Sequence, residues 1–270
     1  MNTRQRRRKE AVDNLIDGLA IDEMVAAHGT VELHPVTIVI AAYKEAENIG
    51  DVVASMPKEL CGLPASIVVV VDGEDDGTAA IVREAGHVAC VCPVNRGQGA
   101  ALRLGYRIAR EYGTEYVVTA DADGQTDPAD LETVLRPVVD GEADFANGSR
   151  RLGKTLSHGL VRNAGVLVFS SLATVLTRTK VTDTANPVRA FPATLTKGLI
   201  LDQPQYQASE LLIAAIMNGA RYTERPVTMR PRARGRSKKG GDFAYGYSYG
   251  RVFFSTFWRE IRRQQRQQAD

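Results

Sequence analysis

Cysteine is scarce, aromatic residues are few and long apolar runs are missing, and each shortage removes a class of explanation. Only three cysteines occur in 270 residues. Cys61, Cys90 and Cys92 are an odd number without zinc-ligand spacing, so neither a disulfide framework nor a zinc module is expected, and they read as reduced thiols in or near the core. No stretch of about 18 apolar residues exists, the longest mixed candidate being Ala164 to Leu176, which argues against a membrane-spanning helix. The N-terminus, Met1-Asn2-Thr3-Arg4-Gln5-Arg6-Arg7-Arg8-Lys9, passes into acidic, helical-looking sequence without the apolar core of a signal peptide, so a cytoplasmic protein, or one peripheral at a membrane, is expected. Internal repeats and low-complexity linkers are absent. The length suits one large α/β domain with a substantial core.

The formal charge of +2 conceals three basic clusters, at Arg4 to Lys9, Arg225 to Lys239 and Arg259 to Arg266. In the middle one, Arg230, Arg232, Arg234, Arg236, Lys238 and Lys239 crowd around Gly235, Gly240 and Gly241, a pattern suited to a loop that closes over phosphates. No aromatic stacking platform accompanies these arginines, so nucleic acid is not an expected partner. The terminal clusters are solubilising, or attract an anionic membrane at about 1 kcal/mol per basic residue near the lipid.

Short apolar runs alternate with helical patterns. Val36 to Ala42 and Ile67 to Val71 are continuous apolar runs too short for ordinary helices, as expected of buried parallel strands. Between them Ala46, Ile49, Val52, Val53 and Met56 recur at helical spacing until Pro57. Further strands are expected at His87 to Val91, Glu115 to Ala120, Asp144 to Gly148 and Arg221 to Val227. Helices are expected at Ala79 to Ala85, Gly97 to Tyr112, Asp127 to Val139, Leu156 to Leu176, Gln207 to Met217 and Tyr245 to Arg266. This alternation implies a doubly wound, Rossmann-like, mostly parallel sheet flanked by helices. Residues 1–34 read as a helical or disordered extension and 35–240 as the main domain, with a nucleotide-binding half over 35–150 and an acceptor half over 151–240. Residues 241–270 read as an amphipathic helix with a basic tail. Tyr249, Val252, Phe253, Phe257 and Trp258 share a face of that helix, either core packing or an interfacial surface.

The chemistry-bearing segment is Asp121-Ala122-Asp123-Gly124-Gln125, directly after the apolar run Tyr116 to Ala120. Strand ends are where α/β proteins bind ligands. In an extended backbone the carboxylates of Asp121 and Asp123 point the same way, so they can share a divalent cation and, through it, a diphosphate. Asp127 before Pro128 reads as a helix cap rather than a catalytic group. A solvated acidic turn is the plain alternative.

Five motifs then occur in one order. Val39-Ile40-Ala41-Ala42-Tyr43-Lys44-Glu45-Ala46-Glu47-Asn48-Ile49 resembles the opening of the family-two, GT-A type glycosyltransferases, V-I-P-x-Y-N-E-x-x-N-I. Val71 to Thr78 is similar to their V-D-D-x-S-x-D-G-T, Asn95 to Leu102 to N-x-G-K-G-x-A-L, the Asp121 pentad to D-A-D-x-Q, and Gly148-Ser149-Arg150 to G-S-R. The second half, with Asp183 to Phe191, Glu210, Glu224 to Val227 and Arg232 to Lys238, looks most like the dolichyl- or polyprenyl-phosphate sugar (mannose) synthases. The resemblance spans about Val36 to Lys238 and implies a GT-A fold.

It also implies roles. Ala41, Tyr43, Glu45, Asp72, Gln98 and Asp121 would bind the nucleotide of a GDP- or UDP-sugar. Asp121, Asp123 and Gln125 would hold Mg²⁺ or Mn²⁺ on its diphosphate. Arg232 and Lys238 would act with Asp123 in catalysis, and Arg150, Arg162, Arg234 and Ser237 would hold the acceptor or its phosphate. A lipid-phosphate acceptor is ionised already and needs no strong base; a hydroxyl acceptor on a soluble metabolite or saccharide would need a carboxylate, Glu210 or Asp183. For Glu210 the competing reading is an anchoring ion pair. Direct displacement implies inversion at the anomeric carbon. The sequence departs from the pattern at Ala41, Lys44, Val71 and Gln98, around the base and ribose, and at Asn186-Pro187-Val188-Arg189, where the branch has S-G-F-R. Of other classes, a nucleotidyltransferase lacks its glycine-rich opening here, and a non-catalytic nucleotide-sugar binding module would not need the metal carboxylates.

Overall fold

The structure is a computed structural model that describes residues 3–73, 76–155, 160–231 and 242–267. In chain order the elements are α1 (Thr3–His28), β1 (Val36–Ala42), α2 (Ala46–Ser55), β2 (Glu59–Leu60), β3 (Leu63–Asp72), α3 (Thr78–Glu84), β4 (Val88–Cys92) and α4 (Gln98–Glu111). They continue as β5 (Tyr116–Asp121), α5 (Ala129–Val139), β6 (Phe145–Thr155), α6 (Leu160–Thr177), β7 (Arg189–Pro192), a 3₁₀ turn (Ala193–Gly198), α7 (Gln207–Met217), β8 (Tyr222–Met229) and α8 (Asp242–Gln267).

A strand that is apolar on both faces must be covered on both, and the two continuous apolar runs meet that requirement at the centre of the sheet. Strand β1 lies between β3 and β5, parallel to both, and β4 runs parallel on the other side of β3. Beyond β5 the sheet contains one reversed strand: β7 is antiparallel to β5 and to β6, and β8 is parallel to β6. The mostly parallel sheet is therefore as expected, with the short segment ending at Phe191 supplying the reversal.

Alternate residues of β1 divide the core. Val36, Ile38, Ile40 and Ala42 pack with α2 and α5 residues such as Ile49, Val52, Leu131 and Val134. Val39 faces α4, where a Cβ on Gly105 would sit 2.4 Å from its Cγ1; only glycine lets the helix dock this closely. A third cluster joins Ala20, Ile21 and Met24 of α1 to Cys90 and Cys92 of β4 and to Leu104 and Ile108 of α4. Burying side chains such as Ile21 and Met24 contributes about 1.5–3 kcal/mol each. The N-terminal segment is thus helical and built into the core. On the far side of the sheet's second half, α6, α7 and α8 pack together through Leu211, Ile213, Tyr249, Phe253 and Phe257.

One expected boundary moves. Strand β6 continues past Gly148 to Thr155 because it keeps pairing with β8 across an irregularity between Ser149 and Lys154. The helix expected from Leu156 is described over Leu160–Thr177, its first four expected residues lying outside the described residues. No described helix is long and apolar enough to cross a membrane.

Candidate active site

The candidate residues Tyr43, Glu45, Asp72 and Asp121 lie at the C-terminal ends of β1, β3 and β5. Register places Ala41 between Val70 and Asp121, so the strand carrying Tyr43 and Glu45 ends beside the one carrying the pentad. Asp121 is the last residue of β5, and Asp123 already belongs to the turn. Strand alternation therefore does not set their relative direction, a correction to the extended-chain reasoning. The turn does: Gly124 adopts φ 73°, and the buried Asp123 Oδ1 accepts from the Gln125 amide at 3.1 Å, a side-chain turn characteristic of aspartate. Asp121 Oδ1 accepts from Gln98 Nε2 at 3.3 Å, so the start of α4 reaches the pentad directly.

Gln125 ties the pentad to Arg230, just past the end of β8. Its Nε2 donates to the Arg230 carbonyl at 3.2 Å, its own carbonyl accepts the Arg230 amide at 2.9 Å, and Thr126 bridges to Met229. Asp127 Oδ1 accepts the Ala129 amide at 3.1 Å, the capping role expected of it, while its Oδ2 pairs with Arg230 at 2.8 Å. The candidates Arg232, Arg234, Ser237 and Lys238 lie outside the described residues. Arg162 falls within α6, but its side chain lies outside them as well.

Tyr43 is exposed at the strand end, with Lys44 Nζ 5.6 Å from its ring centre and Lys44 at φ 54°. Glu45 is buried and accepts from Asn48 Nδ2 at 2.9 Å, while its amide donates to the Thr78 hydroxyl. Asp72 holds the loop before α4: Oδ1 accepts the Arg96 amide at 2.9 Å and Oδ2 the Gly97 amide at 2.7 Å. Burial pushes its pKa above the usual carboxylate value, opposed by those two amides.

In the second half the expected groups are braces. Arg150 donates to Asp183 through Nε at 2.7 Å, Nη2 at 2.8 Å and its backbone amide at 3.1 Å, and the Ala185 amide adds a fourth donor at 3.1 Å. Asp183 is 0% exposed. Glu224 in turn accepts from the Thr182 and Asp183 amides, the Thr182 hydroxyl and the Tyr222 hydroxyl. Glu210, also fully enclosed, accepts the Asp202 and Gln203 amides and pairs with Arg259 Nη1 at 3.0 Å. Burial raises the Glu210 pKa, against the lowering effect of the Asp202 amide and Arg259. The anchoring alternative for Glu210 thus describes its contacts, with Arg259 of α8 as its cation among the described residues. Arg189 is 1% exposed and spends its guanidinium on the Asn147 side chain and the carbonyls of Thr184, Asn186 and Ala208.

The segment at Gln203 and Pro204 was not singled out by its sequence. It buttresses the loop at the start of α4: the Gly99 amide donates to the Pro204 carbonyl at 2.8 Å, and Cβ atoms on Gly97 or Gly99 would lie 2.4 and 2.2 Å from the Pro204 and Gln203 carbonyl oxygens. Two glycines at Gly97-x-Gly99 are the available signal, since close backbone approach demands them.

Among the described residues no group of three or more His, Cys, Asp or Glu is arranged as a metal cage. Two carboxylates at a strand end suit Mg²⁺ or Mn²⁺ nonetheless, because these hard cations are held by one or two carboxylates with substrate diphosphate oxygens completing the shell.

Comparison with known proteins agrees with this layout. Over 195 residues the chain is 34% identical to an uncharacterised protein of Methanocaldococcus jannaschii, covering 70% of this chain and 79% of the other. It is 29% identical to the UDP-N-acetylglucosamine–dolichyl-phosphate N-acetylglucosaminyltransferase of Methanococcus voltae, covering 70% and 83%. Among solved structures it resembles Mycobacterium tuberculosis glucosyl-3-phosphoglycerate synthase in complex with Mn²⁺, UDP and phosphoglyceric acid, with TM-score 0.65, 19% identity and coverage of 89% and 82%. That likeness shows the fold, a GT-A sheet with helices on both faces. Residues 37–193 match the family described as Glycosyl transferase family 2, and the chain belongs to that family of enzymes.

Proposed function

We propose that the protein moves a sugar from a GDP- or UDP-sugar to a phosphate-bearing acceptor, a polyprenyl or dolichyl phosphate before others, with inversion at the anomeric carbon. The observation that carries this reading is the junction at the end of β5, where Gln98 reaches Asp121, Asp123 closes the turn, and Gln125 fastens Arg230. Tyr43 and Glu45 would border the base and ribose, and Asp72 would hold the loop beneath them. Asp121 and Asp123 would hold the cation, which when bound supplies charge neutralisation for the departing nucleoside diphosphate.

An ionised phosphate nucleophile needs no strong base. That fits the saturated state of Asp183 and Glu210, whose oxygens are already occupied by amides and guanidinium groups. The dolichyl-phosphate transferase relative supports the lipid-phosphate acceptor. Arg150 braces Asp183 and would face the acceptor only through donors beyond that pair; Arg234, Ser237 and Arg162 remain proposals for the same task.

The test is release of nucleoside diphosphate from a panel of GDP- and UDP-sugars, with polyprenyl phosphate or with soluble saccharides, in Mn²⁺ or in EDTA. Metal-dependent release with the lipid phosphate is expected, abolished by Asp123→Ala with an unchanged circular dichroism spectrum. Near-normal turnover of Asp123→Ala, or a product keeping the donor's anomeric configuration, refutes the reading. Donor binding without turnover on any acceptor would indicate a binding module.

A further inference from the structure

Helix α1 carries two apolar faces. Ala20, Ile21 and Met24 pack inward against β4 and α4, and Asp13 and Asp17, at matching helical spacing, hold Arg96 on that side. Val12, Leu15 and Leu19 point the other way, 49%, 66% and 54% exposed, and none of the described elements covers them. A lone exposed apolar residue needs no explanation, but three along one helix face form a patch that does.

The patch belongs to a longer seam. Arg8, Val12, Leu15, Leu19, Asp22 and Ala26 follow one another at alternating steps of four and three, and all six are exposed. That alternation is the heptad pattern by which one helix lays a continuous stripe against another. At 1.5 Å per residue the seam runs for about 27 Å. Its ends carry opposite charges at equal distances from the middle: Arg8 lies seven positions before Leu15 and Asp22 seven after it. Neither has an oppositely charged partner among the described residues, whereas the neighbouring Glu23 is taken by Arg83.

A seam of this kind complements itself. Two copies of α1 laid antiparallel about a twofold axis at Leu15 set each Arg8 beside the partner's Asp22 and enclose Val12, Leu15 and Leu19 between the helices. Parallel copies would instead face arginine with arginine and aspartate with aspartate, which is unfavourable. An anionic lipid surface would gain at Arg8 and lose again at Asp22. We propose that α1 docks on a second copy of this chain as an antiparallel helix pair, forming a homodimer. A contact of this length is small for a specific interface, so the association is weak. The proposal stands apart from the sugar-transfer reading, because the seam lies opposite Asp13 and Asp17 and contains no candidate site residue.

The experiment is sedimentation velocity on the full chain over a concentration series. A monomer–dimer equilibrium with a dissociation constant in the micromolar range is expected, and Leu15→Glu, which sets two carboxylates on the axis, should be monomeric with an unchanged circular dichroism spectrum. Arg8→Glu and Asp22→Arg should each weaken the dimer about tenfold, since symmetry repeats every change twice. Arg8→Glu combined with Asp22→Arg restores both pairs and should regain wild-type affinity, which a parallel arrangement would not allow. A wild type that stays monomeric, a dimer left intact by Leu15→Glu, or a double variant as weak as the single ones overturns the proposal. So does flotation of a monomeric wild type on phosphatidylglycerol vesicles, lost in Leu15→Glu, which would give the seam to lipid. Should Leu15→Glu fail to fold, the charge variants decide, because they alter exposed side chains alone.

Discussion

Replacing Asp183 by asparagine separates a brace from a base. The carboxylate receives three donors from Arg150 and one from Ala185, and no part of it is exposed. Asparagine keeps the shape but turns an N–H₂ group toward one pair of those donors and leaves the Arg150 guanidinium, 10% exposed, without its counter-charge. Breaking a buried pair from one side costs about 3–5 kcal/mol. At roughly 2–4 °C per kcal/mol for a chain near this size, the melting temperature should fall by about 6–20 °C. Circular dichroism melts give this directly, and nucleoside diphosphate release well below the variant's melting temperature gives the activity. A brace predicts a large melting shift with partial activity when cold; a melting temperature within about 2 °C of wild type together with abolished turnover would refute the argument, because only a catalytic proton acceptor behaves that way. A second variant sharpens the result. Arg150→Met combined with Asp183→Asn removes the stranded charge, so the double variant should melt above the additive expectation, and strict additivity would show that the two side chains are not coupled.

Gln125→Ala should lower turnover about fivefold, the worth of one hydrogen bond of about 1 kcal/mol to the loop root, without weakening Mn²⁺ binding measured by electron paramagnetic resonance; weakened Mn²⁺ binding would make Gln125 a ligand after all. Gly99→Ala places a Cβ 2.2 Å from the Gln203 carbonyl oxygen, so the buttress must shift at about 1–3 kcal/mol, and donor KM should rise; a wild-type KM and melting temperature would contradict the close approach. Burial pushes the Cys92 thiol up to about 11 and the Cys90 thiol higher still, whereas half-buried Cys61 is raised to a lesser degree, so a thiol reagent near pH 8 should modify Cys61 alone in the native protein. Rapid labelling of all three cysteines would contradict that order. The Arg221 side chain and amide hold the Asp144 pKa below its ordinary value. Its stabilisation is therefore present above the unfolded pKa of about 3.9 and lost as pH falls through the lower folded value. The stability gap between wild type and Asp144→Asn should be flat above about pH 5 and shrink as pH falls through the unfolded value of about 3.9 toward the lower folded one; a gap that widens on acidification reverses the sign.

The frame of the sheet was legible because its strands are buried on both faces and so have no polar alternation to confuse them with surface helices. Val68 to Val71 and Val36 to Ala42 could hardly be anything else. Helix α1 was less legible. Ala20, Ile21 and Met24 are buried, but Val12, Leu15 and Leu19 are exposed, so its apolar residues do not form one stripe and the docking cannot be read from spacing. The reversed β7 is four residues long, too short to carry a periodic signal. At the site, the pentad, Gln98 and the Asp127 cap were visible as residue types at fixed spacing. The tasks of Asp183, Glu210 and Glu224 were not, because a carboxylate's role depends on how many donors tertiary structure brings to it. Those donors come from segments as distant as Arg150, Arg259 and Thr182.

Strand β8 explains why the two halves need one another. It pairs along β6 from Phe145↔Tyr222 to Thr155↔Met229, and Glu224 fixes the Thr182–Asp183 turn that grips Arg150. At its other end the Thr228 amide donates to Asp130 in the first turn of α5, and Arg230 is held by Asp127 and Gln125. The chain leaves the described residues at Pro231, one position beyond that clasp. Arg232 follows immediately, and extended chain advances at most about 3.6 Å per residue. Arg230 is thus held at the Asp121 to Gln125 turn, and the remaining basic residues continue the sequence from that point. Gln125 and Arg230, some hundred positions apart in sequence, meet because β8 delivers one to the other.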